Sequence, residues 1–275
     1  MNNKTEKMRL DTLLVERGFY DSRERAKSAI MAGEIMIGDK KIDKPGTAVA
    51  ADSEIRLLGN KIPYVSRGGL KLAHAIESFN LDISSAVVLD IGSSTGGFVD
   101  CSLQNGASKV YSVDVGYGQL AWKLRNDDRV MVMEKTNARY LTEEQVPEAV
   151  DIVTVDASFI SLEKILPAPL SFLKEDGFLV ALIKPQFEAG RDKIGKKGVV
   201  HDRRVHAEVI ENVCNMITGL AMTVLNVAYS PITGPEGNIE FLLLAQKNRL
   251  EAITDNSFTN ERIKIVVSEA WEHLF

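Results

Sequence analysis

Val87-Val88-Leu89-Asp90-Ile91-Gly92-Ser93-Ser94-Thr95-Gly96-Gly97-Phe98-Val99-Asp100 is the stretch whose reading decides the fold. An apolar run of strand length enters a glycine-rich turn, and a helical pattern follows through Phe98, Ser102 and Leu103 to Gly106. Strand, turn and helix in that order open a nucleotide-binding sheet. The spacing is not the dinucleotide pattern G-x-G-x-x-G, because three other residues separate Gly92 from Gly96 and Gly97. The expected ligand therefore lacks a pyrophosphate. S-adenosylmethionine is such a ligand, and glycines let a backbone turn approach its methionine end closely. A strand-to-helix turn with three glycines is also what a purely structural connection requires.

Downstream of this unit, strand-like runs alternate with helical patterns. Residues 109–113 end at Asp114, 130–133 precede Asn137, 150–155 end at Asp156, 178–183 end at Lys184, and 222–228 and 239–245 close the series. With 87–91 they make seven strands, the order of a doubly wound α/β sheet. Ser230 to Asn238 carries no helical pattern, so a hairpin is expected there and the last strand should run antiparallel. That is the architecture of Rossmann-like methyltransferases. A final helix, 260–275, is expected to cover the sheet, with Trp122 and Trp271 as packing residues.

The first sixty residues have a different character. Leu10, Leu13 and Leu14 share one helical face and Gly18 follows as a stop; Asp21 and Glu24 have capping-box spacing before a second helix that ends at Gly33. Short alternating strands follow around Ile35 and Ile37 and again at Ile55 and Leu57. The expectation is a small α+β domain over residues 8–58, a linker over 59–66 and a catalytic domain over 67–275, with a helix from about Leu70 to Phe79. Residues 1–65 hold 12 Lys+Arg against 10 Asp+Glu, in a chain of net charge −5. Arg9, Arg17, Arg23, Arg25, Lys27, Lys40, Lys41 and Lys44 could grip RNA phosphate or could simply be solvated. Arg9-Leu10-Asp11, Arg17-Gly18, Ser22-Arg23, Ala26, Ile30, Gly33, Ile37 and Lys44-Pro45-Gly46 resemble the RNA-binding module shared by a small-subunit ribosomal protein, bacterial tyrosyl-tRNA synthetases and pseudouridine synthases. That resemblance favours RNA.

Several classes are argued against. No run of 18 apolar residues occurs, and the first residues are charged, so neither a spanning helix nor an export signal is expected and a cytoplasmic protein is. Cys101 and Cys214 are the only cysteines, and His74, His201, His206 and His273 lack ligand spacing, so no disulfide framework and no metal are expected.

In a doubly wound sheet, ligands meet the carboxyl ends of strands. Asp114, 24 residues after Asp90, is placed to accept from ribose hydroxyls, and Asn137 to meet adenine. Asp156 and Lys184 end strands and Glu240 begins the last one. Lys71 sits at the start of a helix, where a cation gains nothing from the dipole. Two cations and two anions converging in one cleft are either a catalytic set or structural ion pairs.

Six blocks in order carry a second resemblance: Ser66-Arg67-Gly68-Gly69-Leu70-Lys71-Leu72, Asp90 to Phe98, Asp114-Val115-Gly116-Tyr117-Gly118-Gln119-Leu120, Asp156-Ala157-Ser158-Phe159-Ile160-Ser161-Leu162, Lys184-Pro185-Gln186-Phe187-Glu188 and Gly237-Asn238-Ile239-Glu240-Phe241. They resemble the TlyA family of bacterial ribosomal RNA 2'-O-methyltransferases, long called haemolysins, whose catalytic domain is similar to the FtsJ/RrmJ type. The resemblance implies a catalytic set of Lys71, Asp156, Lys184 and Glu240. It also implies ribosomal cytidine as substrate. S-adenosylmethionine is expected to be held by Asp90, Gly92, Ser94, Thr95, Gly96, Gly97, Phe98, Asp114, Asn137 and Asp156, with Arg67 beside the RNA. A basic, glycine-rich segment from Glu188 to Gly198 is expected to be either a flap that meets RNA or a solvated loop. The competing readings are a membrane-active haemolysin and an RNA-binding assembly factor that no longer turns over.

Overall fold

The computed structural model describes residues 7–38, 40–58, 62–195, 198–234, 236–247 and 260–274. Gly59, Asn60 and Lys61 of the expected linker, together with Asp39, Lys196, Lys197, Pro235 and Phe275, lie outside the described residues. The chain divides into two compact units, Met1–Ile62 and Pro63–Phe275.

The first unit begins with β1 (Lys7–Arg9), α1 (Leu10–Glu16) and α2 (Arg23–Met31), followed by β2 (Ile35–Ile37), β3 (Lys40–Ile42), β4 (Ala48–Ala50) and β5 (Ile55–Leu57). Leu10, Leu13 and Leu14 from α1 meet Ala26, Ala29 and Ile30 from α2 in a core closed by Ile35, Ile42 and Val49. β3, β2 and β5 form an antiparallel sheet, and β1 pairs separately with β4. The β1–β4 pair was not expected, because three residues are too few to show a period of two. The cap of α2 is Ser22, whose hydroxyl accepts from Arg25 N–H at 3.3 Å; Asp21, the expected capping residue, instead pairs with Arg25 at 2.7 Å. A serine one position closer to the helix satisfies the orphan N–H and leaves the aspartate free for the i, i+4 ion pair.

The second unit runs α3 (Gly68–Phe79), β6 (Val87–Ile91), α4 (Gly97–Gln104), β7 (Lys109–Val113), α5 (Trp122–Arg125), β8 (Val130–Met133), β9 (Val150–Val155), α6 (Leu162–Ile165), α7 (Pro167–Ser171), β10 (Leu173–Ile183), α8 (Pro185–Glu188), α9 (Arg203–Gly219), β11 (Met222–Tyr229), β12 (Phe241–Lys247) and α10 (Asn260–Leu274). The seven strands order as β11-β12-β10-β9-β6-β7-β8. β12 is antiparallel to both β10 and β11, while the β6, β7, β8, β9 and β10 pairings are parallel, so the expected single antiparallel strand is present. It starts at Phe241, two residues later than the apolar pattern indicates, since Ile239 and Glu240 belong to the loop.

Side chains alternate between two apolar layers. Leu89, Ile91, Val153, Val155, Leu179, Ala181 and Ile183 face α9 and α10, which contribute Val209, Ile210, Val213, Val266 and Val267. Val88, Ile152, Val180, Leu182, Leu242 and Leu244 face the other way, onto Leu72 and Ala75 of α3 and Phe98 and Val99 of α4. Burial on both faces explains why these strands read as continuous apolar runs. From β6 the chain builds outward to β7 and β8, then crosses back to β9 on the other side of β6, which opens a crevice at the carboxyl ends of β6 and β9. Trp122 departs from expectation. It is 76 % exposed at the start of α5, while Trp271 is half-buried and donates its indole N–H to His206 Nδ1 at 3.0 Å.

Candidate active site

A cavity of about 640 Å³ lies in that crevice. Its wall includes Lys71 from α3, Gly92, Ser94, Thr95, Gly97 and Phe98 from the turn into α4, Asp156 after β9, Lys184 after β10, and Glu240 before β12. All four residues of the expected catalytic set thus reach one space. They do so as two ion pairs. Lys71 Nζ donates to Glu240 Oε2 at 2.5 Å, and Lys184 Nζ lies 2.6 Å from Asp156 Oδ1 and 2.9 Å from Ser158 Oγ. Lys71, Lys184 and Glu240 are buried. Lysine and glutamate are rarely buried unless paired, and a helix start gives Lys71 no electrostatic reward, so its position is dictated by Glu240.

The turn below them is tightly built. Gly92 has φ +85°, and a Cβ there would come within 2.7 Å of the Asp156 carbonyl oxygen, so only glycine lets the β6 turn touch the end of β9. Gly96 precedes α4 as its N-cap residue. Asp90, next to last in β6, is fully buried; Thr154 Oγ1 donates to its Oδ1 at 2.7 Å, and Oδ2 has no hydrogen-bond partner. Burial pushes its carboxyl up to about 7 against the opposing effect of the Thr154 hydrogen bond.

Asp90, Gly96, Asp114 and Asn137 do not line the cavity. Asp114, just beyond β7, accepts from Ser94 N–H at 2.7 Å and from Gly116 N–H at 2.7 Å, which fixes its carboxylate beside the glycine turn. Asn137 caps the 3₁₀ turn Ala138–Tyr140 by accepting from Arg139 N–H at 3.2 Å. Arg67, expected beside RNA, is exposed, lines the cavity and donates to the Thr233 carbonyl at 3.0 Å.

Some contributors were not anticipated. Phe159 is 90 % exposed at the cavity, with φ +66°, and tilts against Phe187 at 5.2 Å between centroids. Tyr117 and Tyr140 are also exposed, the first under Lys135 Nζ at 4.4 Å and the second under Arg139 at 5.2 Å. Large aromatic side chains left in water mark contact surfaces more often than packing, and exposure is invisible to periodicity. The segment after Lys184, expected as a flap or solvated loop, folds back on the site: Glu188 accepts from Leu162 N–H at 2.8 Å, and Val199 and Val200 are buried.

In the first unit, the buried Asp11 accepts from Arg9 at 2.8 Å and from Arg23 at 3.0 Å. The Arg9 hydrogen bond, helped by Arg23, holds the Asp11 carboxyl well below the usual range although burial opposes it. Arg17 donates to the Ser53 carbonyl at 2.7 Å. Lys40, Lys41 and Lys44 are exposed and Lys27 is half-buried.

Among the described residues, no helix is long and apolar enough to cross a membrane, and no group of three or more His, Cys, Asp or Glu could hold a metal ion. Residues 8–55 match the S4 domain. The chain is 43 % identical to the 16S/23S rRNA (cytidine-2'-O)-methyltransferase TlyA of Mycobacterium tuberculosis, over 86 % of this chain and 88 % of that one. It is 40 % identical to Hemolysin A of Brachyspira hyodysenteriae, over 86 % of this chain and 98 % of the relative. A solved structure of a hemolysin candidate from Streptococcus thermophilus superposes with a TM-score of 0.77 at 43 % identity, covering 98 % of this chain and 97 % of that one. With residues 64–247 matching the FtsJ-like methyltransferase description, the chain belongs to the FtsJ-like methyltransferase family.

Proposed function

We propose that the chain transfers a methyl group from S-adenosylmethionine to the ribose 2'-hydroxyl of a cytidine in ribosomal RNA. The carrying observation is the pair of lysine–carboxylate bridges, Lys71–Glu240 and Lys184–Asp156, on the wall of a cavity floored by a glycine turn. The Mycobacterium tuberculosis relative is named for this reaction, and the match spans most of both chains.

The residues fit the donor. The cavity volume is in the usual range of about 300–1,000 Å³ for cofactor sites. Asp90 supports the methionine end from below the cavity lining, its carbonyl accepting from Ser93 Oγ at 3.2 Å in the glycine turn. Gly92, Ser94, Thr95, Gly96, Gly97 and Phe98 form the cradle for that end. Asp114 has lone pairs to spare for ribose hydroxyls after accepting two backbone N–H groups, and Asn137 is assigned to the adenine side. When bound, S-adenosylmethionine supplies an electrophilic methyl on a sulfonium.

The chain's own groups hold the acceptor in line and remove its proton. Lys184 Nζ takes the hydroxyl proton, and Asp156 Oδ1 and Ser158 Oγ fix the direction from which it does so. Lys71, locked by Glu240, presents a fixed positive charge to the oxygen as it loses its proton. Phe159 offers a face on which a base taken out of its stack can lie.

Arg9, Arg17, Arg23, Arg25, Lys27, Lys40, Lys41 and Lys44 supply phosphate contacts in the first unit, and Arg67 at the cavity. Ribosomal subunits are the partner, which places the protein in the cytoplasm. The test is to incubate the protein with labelled S-adenosylmethionine and subunits lacking the modification, then map the label. Label at the 2'-oxygen of a cytidine, lost in Lys184→Ala, is the expected result. No transfer to either subunit, or equal transfer by Lys184→Ala, would overturn the proposal.

A further inference from the structure

Two segments form the wall of the cavity across from the glycine turn: the chain that follows Lys184, returning through Gly198, and the loop between β11 and β12 that ends in Glu240. Each carries one member of a different lysine–carboxylate pair. The pairing of Ile183 with Phe241 sets Lys184 beside Glu240 at the sheet's end, and the contact between the two segments beyond the sheet holds that spacing.

Asn238 joins them. It is 2 % exposed. Its Oδ1 accepts from Val200 N–H at 3.0 Å and its Nδ2 donates to the Gly198 carbonyl at 2.9 Å. A carboxamide holding a carbonyl and the N–H two residues on uses one acceptor and one donor, as a neighbouring strand would, and no other side chain of that length offers both. The Asn238 carbonyl meanwhile accepts from Gly234 N–H at 2.9 Å, and Ser230 N–H donates to the Glu240 carbonyl at 2.8 Å, so the loop is closed on itself. Gly234 is the second constraint. A Cβ there would stand 2.6 Å from Glu240 Oε1, so the loop backbone lies directly against the carboxylate that holds Lys71.

Resting on the function proposed above, we infer that Asn238 is a positioning residue: its amide docks residues 198–200 onto the Glu240 loop and so fixes Lys71–Glu240 against Lys184–Asp156. Gly234 is its counterpart on the loop, kept small so that Glu240 can seat. Neither removes a proton, and neither hydrogen-bonds to the glycine turn that cradles the methyl donor. Their loss is felt in turnover, with donor affinity preserved, because the glycine turn is on the opposite wall.

The variants are Asn238→Asp and Gly234→Ala. Asn238→Asp keeps the acceptor for Val200 N–H and loses the donor to Gly198. At pH 8 its kcat on ribosomal subunits is expected to fall about tenfold or more, with the Kd for S-adenosylmethionine by calorimetry unchanged within about twofold. As pH falls, the protonated acid regains a donor, so the ratio of variant to wild-type kcat should climb. Hydrogen exchange at residues 199–202 should quicken in Asn238→Asp at pH 8 while the protection of β6 and β9 stays as in the wild type. Gly234→Ala should lower kcat with donor affinity kept. A kcat ratio near one at pH 8, or a loss that does not change with pH and is matched by equal loss of donor affinity, would overturn the inference. If the wild-type protein itself methylates no ribosomal RNA, the function proposed above fails by that result, and unchanged exchange at residues 199–202 would separately overturn the docking role.

Discussion

Lys71 Nζ lies 2.5 Å from Glu240 Oε2, across 169 residues of sequence, with both side chains buried. Removing either partner leaves an uncompensated buried charge, which typically costs about 3–5 kcal/mol, whereas replacing both with apolar groups of similar size is often neutral. Lys71→Met and Glu240→Leu should each lower stability by about that amount, and the double variant should recover most of it. Denaturant melts of the four proteins check this. Methyl transfer should be lost in all three variants, so that stability and activity separate in the double one.

Asp11 in the first unit orients rather than binds. With Arg9 and Arg23 both turned onto its buried carboxylate, Asp11→Asn should let the two guanidinium groups scatter and weaken RNA binding by about 1 kcal/mol, without changing the number of cations. The salt slope of RNA affinity should therefore stay near the wild-type value, in contrast to Arg9→Ala or Arg23→Ala, which should each reduce it by about one unit. The folded carboxyl sits below its unfolded value. The stability it contributes is thus present above about pH 4 and lost as pH falls further, and Asp11→Asn should flatten the acid limb of the melting curve.

What could be read from the sequence follows from range. β6, β7, β9 and the second part of β10, 178–183, are largely apolar runs followed by a polar residue, a pattern contained within a few positions, and Asp156 and Lys184 are found by their place at those ends; the charged start of β10, from Leu173, carries no such pattern. β1 and β4 are three residues each and are defined by pairing with each other, Arg9 with Ala48 far along the chain, so no local period marks them. Asn238 reaches Gly198 and Val200, 40 and 38 residues away, and although it stands in a resembling block beside Glu240, nothing local marks what its amide holds. The exposure of Trp122 and Phe159 is illegible for the same reason: whether an aromatic ring is covered depends on what the fold brings over it.

Gly92 is expected to be intolerant of a side chain. At φ +85° an alanine is strained by about 1–3 kcal/mol, and its Cβ would press on the Asp156 carbonyl at 2.7 Å. The push is transmitted to the residue that holds Lys184, so Gly92→Ala should weaken S-adenosylmethionine binding in calorimetry and lower kcat as well. Gly118→Ala is the control: it also has positive φ, +70°, but its Cβ would meet nothing within 4 Å. A similar loss of donor affinity in both variants would mean that backbone strain, rather than contact with Asp156, is responsible.

His206 supplies the last expectation. It is fully buried in α9, accepts from Trp271 Nε1 at 3.0 Å and meets the Phe241 ring edge-on at 5.6 Å. Burial lowers its pKa to about 4, so the folded protein keeps it neutral where the unfolded chain, near pKa 6.5, takes up a proton. Between those values the unfolded state binds more protons, and stability must rise with pH: the contribution is complete above about pH 6.5 and is lost as pH falls toward 4, to a total of order 3 kcal/mol. Asp90 acts in the opposite direction over an overlapping window, because its raised carboxyl stays protonated in the folded state and ionises in the unfolded one as pH rises from about 4 to 7. The wild-type melting temperature should consequently change little between pH 5 and 7. His206→Gln should remove the destabilisation on acidification and leave stability that falls with rising pH, and Asp90→Asn should leave the reverse slope. Thermal melts of the three proteins at pH 5, 6 and 7 check the assignment, and parallel slopes in all three would refute it.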